Sequence, residues 1–539
     1  MLHWTRLRQR ASVYAQAGTG ARHQRGYSLK SENMASGSIV PGSRDEQRGL
    51  TYWMERVLKE LEEVRSAPDA DAVHDLRVAL RRCRSLAAVM EEVDPDPAWP
   101  EMRKIGRKLF RQLGELRDTQ VLEEWMGKLG SENDAVRERL QVHLGKNETE
   151  EREAALRAAG KFEAKGWKSY ERVLGHRARV VAPNGPAAKS LALERLLAAK
   201  ELHLRALRTE KPEPWHELRI GVKRFRYTVE SLLPKLYESW GENLKRVQDL
   251  LGEVHDLDVL AETIARVAAD EPEDVRARWK ERIAAERQLR LDEYRQLSMG
   301  EKRLWQDWKE GLPQGAQLEA SAMARLRATA RALDASQGKA AQVTRLALRI
   351  YGELRRVKSG RPFSDRHLQK VMRAAALLHG IGTGLKAKSP EKAARKFLRR
   401  LPLPVGWTEA EWELLGMVVR YHRGQEPKAK DKGFARMTKA EQQELCGMAG
   451  VLRLARVLRK CGAVSGKELQ VEPSVDALIV RVPGLEDTEA SAASVAAGKH
   501  LLETVLGRPL IVQTVPGVPK IVELPKREEK VPFTAAASD

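Results

Sequence analysis

The feature that most constrains this chain is a basic, helix-forming segment that occurs twice. The first copy runs His74-Asp75-Leu76-Arg77-Val78-Ala79-Leu80-Arg81-Arg82-Cys83-Arg84. The second runs His216-Glu217-Leu218-Arg219-Ile220-Gly221-Val222-Lys223-Arg224-Phe225-Arg226. At about 100° per residue on a helix, His74, Arg77, Arg81 and Arg84 fall within a sector of roughly 80°. His216, Arg219, Lys223 and Arg226 do the same. Beside each row lies an apolar stripe: Leu76, Leu80, Cys83 and Ala87 in one copy, Leu218, Val222, Phe225 and Val229 in the other. Each helix therefore buries one face and carries a row of cations along its edge.

A second matched element follows each copy. Leu113-Gly114-Glu115-Leu116-Arg117-Asp118 recurs as Leu251-Gly252-Glu253-Val254-His255-Asp256, each roughly 35 to 40 residues after its histidine. An apolar pair follows each, Val121-Leu122 and Val259-Leu260. Two elements in one order at nearly one spacing mark a duplication. The fold predicted is mainly α: a duplicated pseudo-twofold helical bundle in which both cationic helices face one groove. Helical patterning runs from about 47 to 312, broken at Pro68, at Pro95 and Pro97, and at Pro183-Asn184-Gly185-Pro186 between the halves. Helices are predicted over 52–65, 73–93, 99–113, 117–129 and 135–159. The tryptophans read as core anchors, with Trp215 the one placed to stack on a base.

The breaks divide the chain into a disordered N-terminal segment (1–45), the duplicated bundle (46–314), a linker (315–338), a second helical domain (339–518) and a flexible tail (519–539). The second domain ends in a small α+β cap, with strands near 469–471, 477–482 and 510–515 and a helix over 489–506 between them. The first segment is polar, basic and rich in Gly and Ser, without the apolar centre of a secretory signal, and Met34 offers a second start.

Lys and Arg number 96 against 75 acidic residues, a formal net charge of +21. That surplus calls for a polyanionic partner, whether polyphosphate, nucleic acid or an acidic membrane surface. Cations about one helical turn apart suit evenly spaced negative charges, and linear inorganic polyphosphate has them. RNA is the alternative, disfavoured because few aromatics interleave with the basic stripes. The candidate site is His74, Arg77, Arg81, Arg82, Arg84, His216, Arg219, Lys223, Arg224 and Arg226, extended along a neighbouring helix by Lys104, Arg107, Lys108 and Arg111. Lys161, Lys165 and Lys168 form a further row. Arginine suits this role because its fork makes paired, charge-assisted hydrogen bonds to phosphate oxygens. The recurrence of His74 and His216 with the same cationic partners favours ligand contact over a purely structural part. Asp118 and Asp256 read as helix N-caps or as groups that orient a nearby arginine. No Gly-rich phosphate loop and no Ser–His–Asp or Cys–His signature occurs. Three scattered cysteines (Cys83, Cys446, Cys461) lack metal-ligand spacing and suit a reducing compartment. No apolar run approaches the roughly 20 residues of a membrane span, so a cytoplasmic location is expected.

The paired elements at 74–84 and 113–118, with their second copies, resemble the CHAD domain, an all-helical duplicated module associated with binding inorganic polyphosphate. The resemblance covers about 47–312. It implies a basic cavity that grips phosphates with His74, Arg77, Arg81, Arg84, His216, Arg219, Lys223 and Arg226, and association with polyphosphate granules. The second copy departs from the pattern at Val254-His255-Asp256, which leaves His255 without an assigned part.

The second half is similar to the helical C-terminal region of the exopolyphosphatase and guanosine-pentaphosphate phosphatase family, which has an HD-like fold. The similarity rests on Gln342-Val343-Thr344-Arg345-Leu346-Ala347-Leu348-Arg349, Ala374-Ala375-Ala376-Leu377-Leu378-His379-Gly380-Ile381-Gly382, Val418-Val419-Arg420-Tyr421-His422-Arg423-Gly424 and Leu452-Arg453-Leu454-Ala455. An HD hydrolase needs a His–Asp pair and further His and Asp ligands around its metals. Here Gly380 stands for the Asp, Lys339 for the leading His, and the later Asp region reads 456–459, beginning and ending in arginine. The actin-like ATPase-type domain that carries catalysis in that family has no counterpart in the sequence. The second domain is therefore expected to be non-catalytic, with no metal and no cofactor. His379 reads as a buried remnant, distant from His422. Arg420, His422, Arg423, Lys428, Lys430 and Lys432 supply charge for a polyanion- or protein-contacting surface. A phosphoanhydride hydrolase, or an accessory subunit of polyphosphate metabolism, is the remaining alternative.

Overall fold

A computed structural model of the protein describes residues 49–66, 70–131, 134–299, 303–334, 338–463 and 468–515. The expected 1–45 segment and 519–539 tail lie outside them. Among the described residues the chain is mainly α-helical with one small sheet, and it divides into two compact units.

The first unit contains α1 (Leu50–Ser66), α2 (Ala70–Met90), α3 (Ala98–Ile105), α4 (Arg107–Leu129), α5 (Ala135–Gly160), α6 (Ala164–Ala178), α7 (Pro186–Ala206), α8 (Pro212–Leu232), α9 (Pro234–Val267), α10 (Glu273–Met299), α11 (Leu304–Glu310) and α12 (Ala316–Ala332). Proline opens α7, α8 and α9, where its fixed φ suits the first turn and its missing N–H costs nothing. The duplication reappears as packing. The α1–α2 hairpin corresponds to α7–α8, and α4–α5 corresponds to α9–α10. Across the repeat, α2 packs on α8 and α4 packs on α9. The main core holds Trp99, Trp167, Trp215 and Trp308, and a smaller one holds Trp125 and Trp279. Asp134 ties the smaller core together: it accepts from Val136 N at 3.0 Å as the N-cap of α5, and from Trp279 Nε1 of α10 at 2.9 Å.

Three expectations change here. The 315–338 stretch is not a linker, because α12 lies in it and packs on α7, burying Ala322, Met323, Leu326 and Ala328. Its buried Arg325 pairs with Glu194. The first unit also takes in 383–386 and 397–412. The expected helix break between 113 and 117 falls instead at Gly106, so α4 runs unbroken through Asp118. Trp215 is 1% exposed and donates its indole N–H to Thr209 O at 3.0 Å, so it is a core residue and no base stacks on it.

Then come α13 (Lys339–Arg356), α14 (Arg366–Leu378), the short α15 (Ile381–Gly384), α16 (Pro390–Leu398), α17 (Glu409–Tyr421), α18 (Lys432–Ala435) and α19 (Lys439–Lys460); α15, α16 and α17 straddle the boundary, and the others lie in the second unit. A cap follows with β1 (Gln470–Pro473), β2 (Leu478–Pro483), α20 (Glu489–Leu506) and β3 (Leu510–Val515). β2 pairs antiparallel with β1 and parallel with β3, the parallel partner being reached through α20. α19 packs on α13 and α20. At Gly450 the backbone of Leu502 comes within 3.0 Å of where a Cβ would stand, so α19 and α20 touch there because glycine has none. Among the described residues no helix is long and apolar enough to cross a membrane.

Candidate functional site

The packing of α2 on α8 brings the two cationic rows into one cluster. Arg77, Arg219 and Arg226 are buried, while Arg81 and Lys223 are half-buried with dense protein round their charged ends. Burial and then the nearby Arg219, Arg81 and Arg77 hold the Lys223 ammonium well below the ordinary lysine value, with Asp118 opposing them. Burial also lowers Arg81, with Arg82, Arg77 and Arg226 adding to it and the Tyr227 hydroxyl opposing. Arg81 lies over the Tyr227 ring at 5.7 Å, and Arg226 Nη2 reaches Tyr237 Oη at 3.4 Å. Three enclosed donors, Arg81 Nε and Arg226 Nε and Nη1, make no hydrogen bond among the described residues. Each such donor costs a fold about 1–3 kcal/mol.

Beneath this cluster stand Asp118 of α4 and Asp256 of α9, corresponding positions of the two copies. Both lie in the middle of their helices, which corrects the reading of them as N-caps. They line one small cavity with Val121, Leu122 and Val259. Asp256 is pushed up to about 8 by burial, against the pull of Arg219 and with repulsion from Asp118. Burial thus favours its protonated form, and the pair opposes the cations with less than its formal charge. Of the second reading, orientation of a nearby arginine, the electrostatics give the proximity: Arg219 pulls on Asp256, while Asp118 acts on a lysine, Lys223.

His216 meets His255, the residue without an assigned part: their Nδ1 atoms are 3.2 Å apart and their rings 4.6 Å apart. One Nδ1 must donate and the other accept, so at most one ring of the pair is protonated at Nδ1. His74 is exposed near the start of α2. The protein mass round its ring and then Arg81 lower its pKa, with Asp75 opposing.

The remaining candidates spread outward. Arg82 is taken up internally by an ion pair with Glu230 and a stack over Trp53 at 5.2 Å. Arg84 donates to Arg103 O at 2.9 Å and lies over Phe110 at 5.0 Å; burial, then Arg103 and Arg107, bring it to about 10. Arg224 is exposed. Lys104, Arg107, Lys108 and Arg111 are also exposed, with loose pairs from Lys104 to Glu101 at 3.8 Å and from Arg111 to Glu115 at 3.9 Å. Lys161, Lys165 and Lys168 are exposed too.

The CHAD domain family model matches residues 50–265, the stretch that holds both cationic helices and both aspartates. These residues are a CHAD domain. The model of Ppx/GppA phosphatase, domain III, matches residues 323–476, and the two domains follow in that order. The chain is also similar to the crystal structure of the CHAD domain from the plant Ricinus communis, with 23% identity over 49% of this chain and 90% of that one and a TM-score of 0.34. No curated protein matches the chain.

Within the CHAD domain, sequence reasoning missed Tyr227 and Tyr237, which flank Arg81 and Arg226, and the contact of His216 with His255. The Tyr227 signal lay in the motif itself, one residue beyond Arg226. In the domain III region, His379 and His422 are not distant: their buried rings lie 5.5 Å apart. His379 Nδ1 donates to Ala376 O at 2.8 Å and His422 Nδ1 to Val419 O at 2.7 Å. Among the described residues no group of three His, Cys, Asp or Glu side chains is placed to hold a metal. At Gly380 a Cβ would stand 3.0 Å from that of Ala340, so an aspartate there meets crowding.

Proposed function

We propose that the protein binds inorganic polyphosphate in the cation cluster of its CHAD domain and does not cleave it. The observation that carries this reading is the set of enclosed donors on Arg81 and Arg226, set among Arg77, Arg219 and Lys223 on two packed helices. Such a cluster is costly in an empty fold and complementary to a chain of phosphates. The Asp118–Asp256 pair, with Asp256 pushed toward its protonated form, offsets less of that charge than two ionised carboxylates would. The absence of cleavage is supported by Gly380, Lys339 and Arg456 at positions where an HD hydrolase requires ligands. RNA is the weaker reading, since Trp215 is buried and base stacking has no platform there.

The decisive experiment titrates long-chain polyphosphate at physiological salt into the wild type and the Arg81→Glu/Lys223→Glu double variant. The variant loses binding; equal affinity rejects the proposed groove. RNA of matched charge competes poorly with polyphosphate, and preferential RNA binding overturns the choice of ligand. Phosphate release with added Mg²⁺ or Mn²⁺ overturns the non-catalytic reading. A fluorescently tagged chain gathers on cytoplasmic polyphosphate granules and disperses in cells that lack polyphosphate.

A further inference from the structure

The second unit assembles its own cation cluster, and the lysines of the 428–432 loop are not its centre. Arg420, near the end of α17, and Arg423, just beyond it, both reach Glu391, at 3.7 and 3.4 Å. Arg453 of α19 is locked to the end of α17 and the chain just beyond it: its Nε donates to Tyr421 O at 2.8 Å, and its Nη2 to Gly424 O at 2.9 Å and Gln425 O at 3.0 Å. One turn further on, half-buried Arg456 has no hydrogen bond or ion pair among the described residues. Burial, then Arg423, Arg453 and Arg459, bring its guanidinium down to about 10, with Glu391 opposing. Arg420 Nη1 is enclosed and donates no hydrogen bond. Even with Glu391 and Glu426 set against them, these four arginines keep a surplus of positive charge.

Two features narrow the ligand. The cations come as two pairs, one at the end of α17 and one on α19, which suits two adjoining anionic centres better than one. Arg456 also influences His422, which packs on His379, so the cations occupy ground where the HD pattern would need metal ligands. That arrangement repels a divalent cation and attracts an anion. We propose that Arg420, Arg423, Arg453 and Arg456 form a second anion site that takes a pyrophosphoryl group, either as free pyrophosphate or as the diphosphate of a nucleotide. It is independent of the CHAD cluster, and neither reading rests on the other.

The test uses the full chain carrying Arg81→Glu/Lys223→Glu, so that the CHAD cluster is disabled, and calorimetric titration with pyrophosphate, ADP and orthophosphate. Pyrophosphate binds at one saturable site, and orthophosphate binds at least tenfold more weakly. ADP matching pyrophosphate identifies a nucleotide diphosphate as the source, and weak ADP binding identifies the free anion. Adding Arg456→Gln weakens pyrophosphate binding tenfold or more. If Arg456→Gln melts early, Arg456→Lys keeps the charge but loses the fork and weakens binding less. In the wild type, pyrophosphate shifts the ring resonances of His379 and His422. No saturable pyrophosphate binding, or binding indifferent to both Arg456→Gln and Arg423→Gln, overturns the site. Either result leaves the long-chain polyphosphate titration of the wild type untouched.

Discussion

Replacing Arg81 and Lys223 together by methionine is predicted to strengthen the fold and weaken the ligand. Both charged ends are crowded by other cations, and Arg81 Nε lacks an acceptor among the described residues. An apolar chain of similar length removes that repulsion and one idle donor, for a gain of about 1–2 kcal/mol, by the logic of buried ion clusters replaced by hydrophobic residues. In a unit of this size that raises Tm by about 2–4 °C. Binding moves the other way. If Arg77, Arg81, Arg219, Lys223 and Arg226 each neutralise one phosphate, log Kd changes with log salt with a slope of about 3.5, at ~0.7 per contact. Between 50 and 200 mM salt the wild type then loses roughly 100-fold in affinity, and the double variant, with a slope near 2, roughly 20-fold. Thermal melts and polyphosphate titrations at three salt concentrations measure both quantities on the same protein. A variant that is less stable than the wild type but keeps the wild-type salt slope refutes the reasoning, because those cations would then be holding the fold and not the ligand.

Two further predictions follow from the same packing. Asp256 has a folded pKa of about 8, above its unfolded value, so between about pH 4 and 8 the native state binds more protons than the unfolded chain. Stability therefore falls as pH rises through that window; Asp256→Asn flattens the slope in urea unfolding at pH 5, 7 and 9, and an unchanged slope shows that Asp256 is not the group responsible. Trp279→Phe removes the indole donor that holds the Asp134 cap of α5 against α10, and urea unfolding registers a loss of about 1–2 kcal/mol, whereas a change below a few tenths assigns the cap no cross-helix part.

What was legible in the sequence follows from what periodicity encodes. A 3.6-residue pattern says which face of a helix is buried, so the helices that carry the two motifs, their duplicated order and the α20 helix of the cap stand where they were expected. Periodicity does not say which distant face lies opposite. The meeting of Asp118 with Asp256, of His216 with His255 and of His379 with His422 are all contacts across long stretches of chain. The 315–338 stretch misled for another reason. Its many alanines and scattered arginines look like a solvated connector until α7 supplies Glu194 for Arg325.

The way the bundle treats its other arginines bears on how the cluster should be understood. Arg177 is clasped by Asp94 at 2.5 Å, Arg287 by Asp258 at 2.7 Å, Arg290 by Glu253 at 2.7 Å and Arg246 by Glu293 at 2.7 Å. A chain that places carboxylates so regularly had the means to do the same along α2 and α8. It did so for Arg82, through Glu230, whose field also reaches Arg226. For Arg81 and Lys223 it placed instead more cations and two aspartates, one of which burial pushes toward its protonated form. Composition alone would scatter a net charge of +21 over exposed helix faces. Part of that surplus stands instead in the crowded space between two packed helices, where water relieves it least and a polyanion relieves it most.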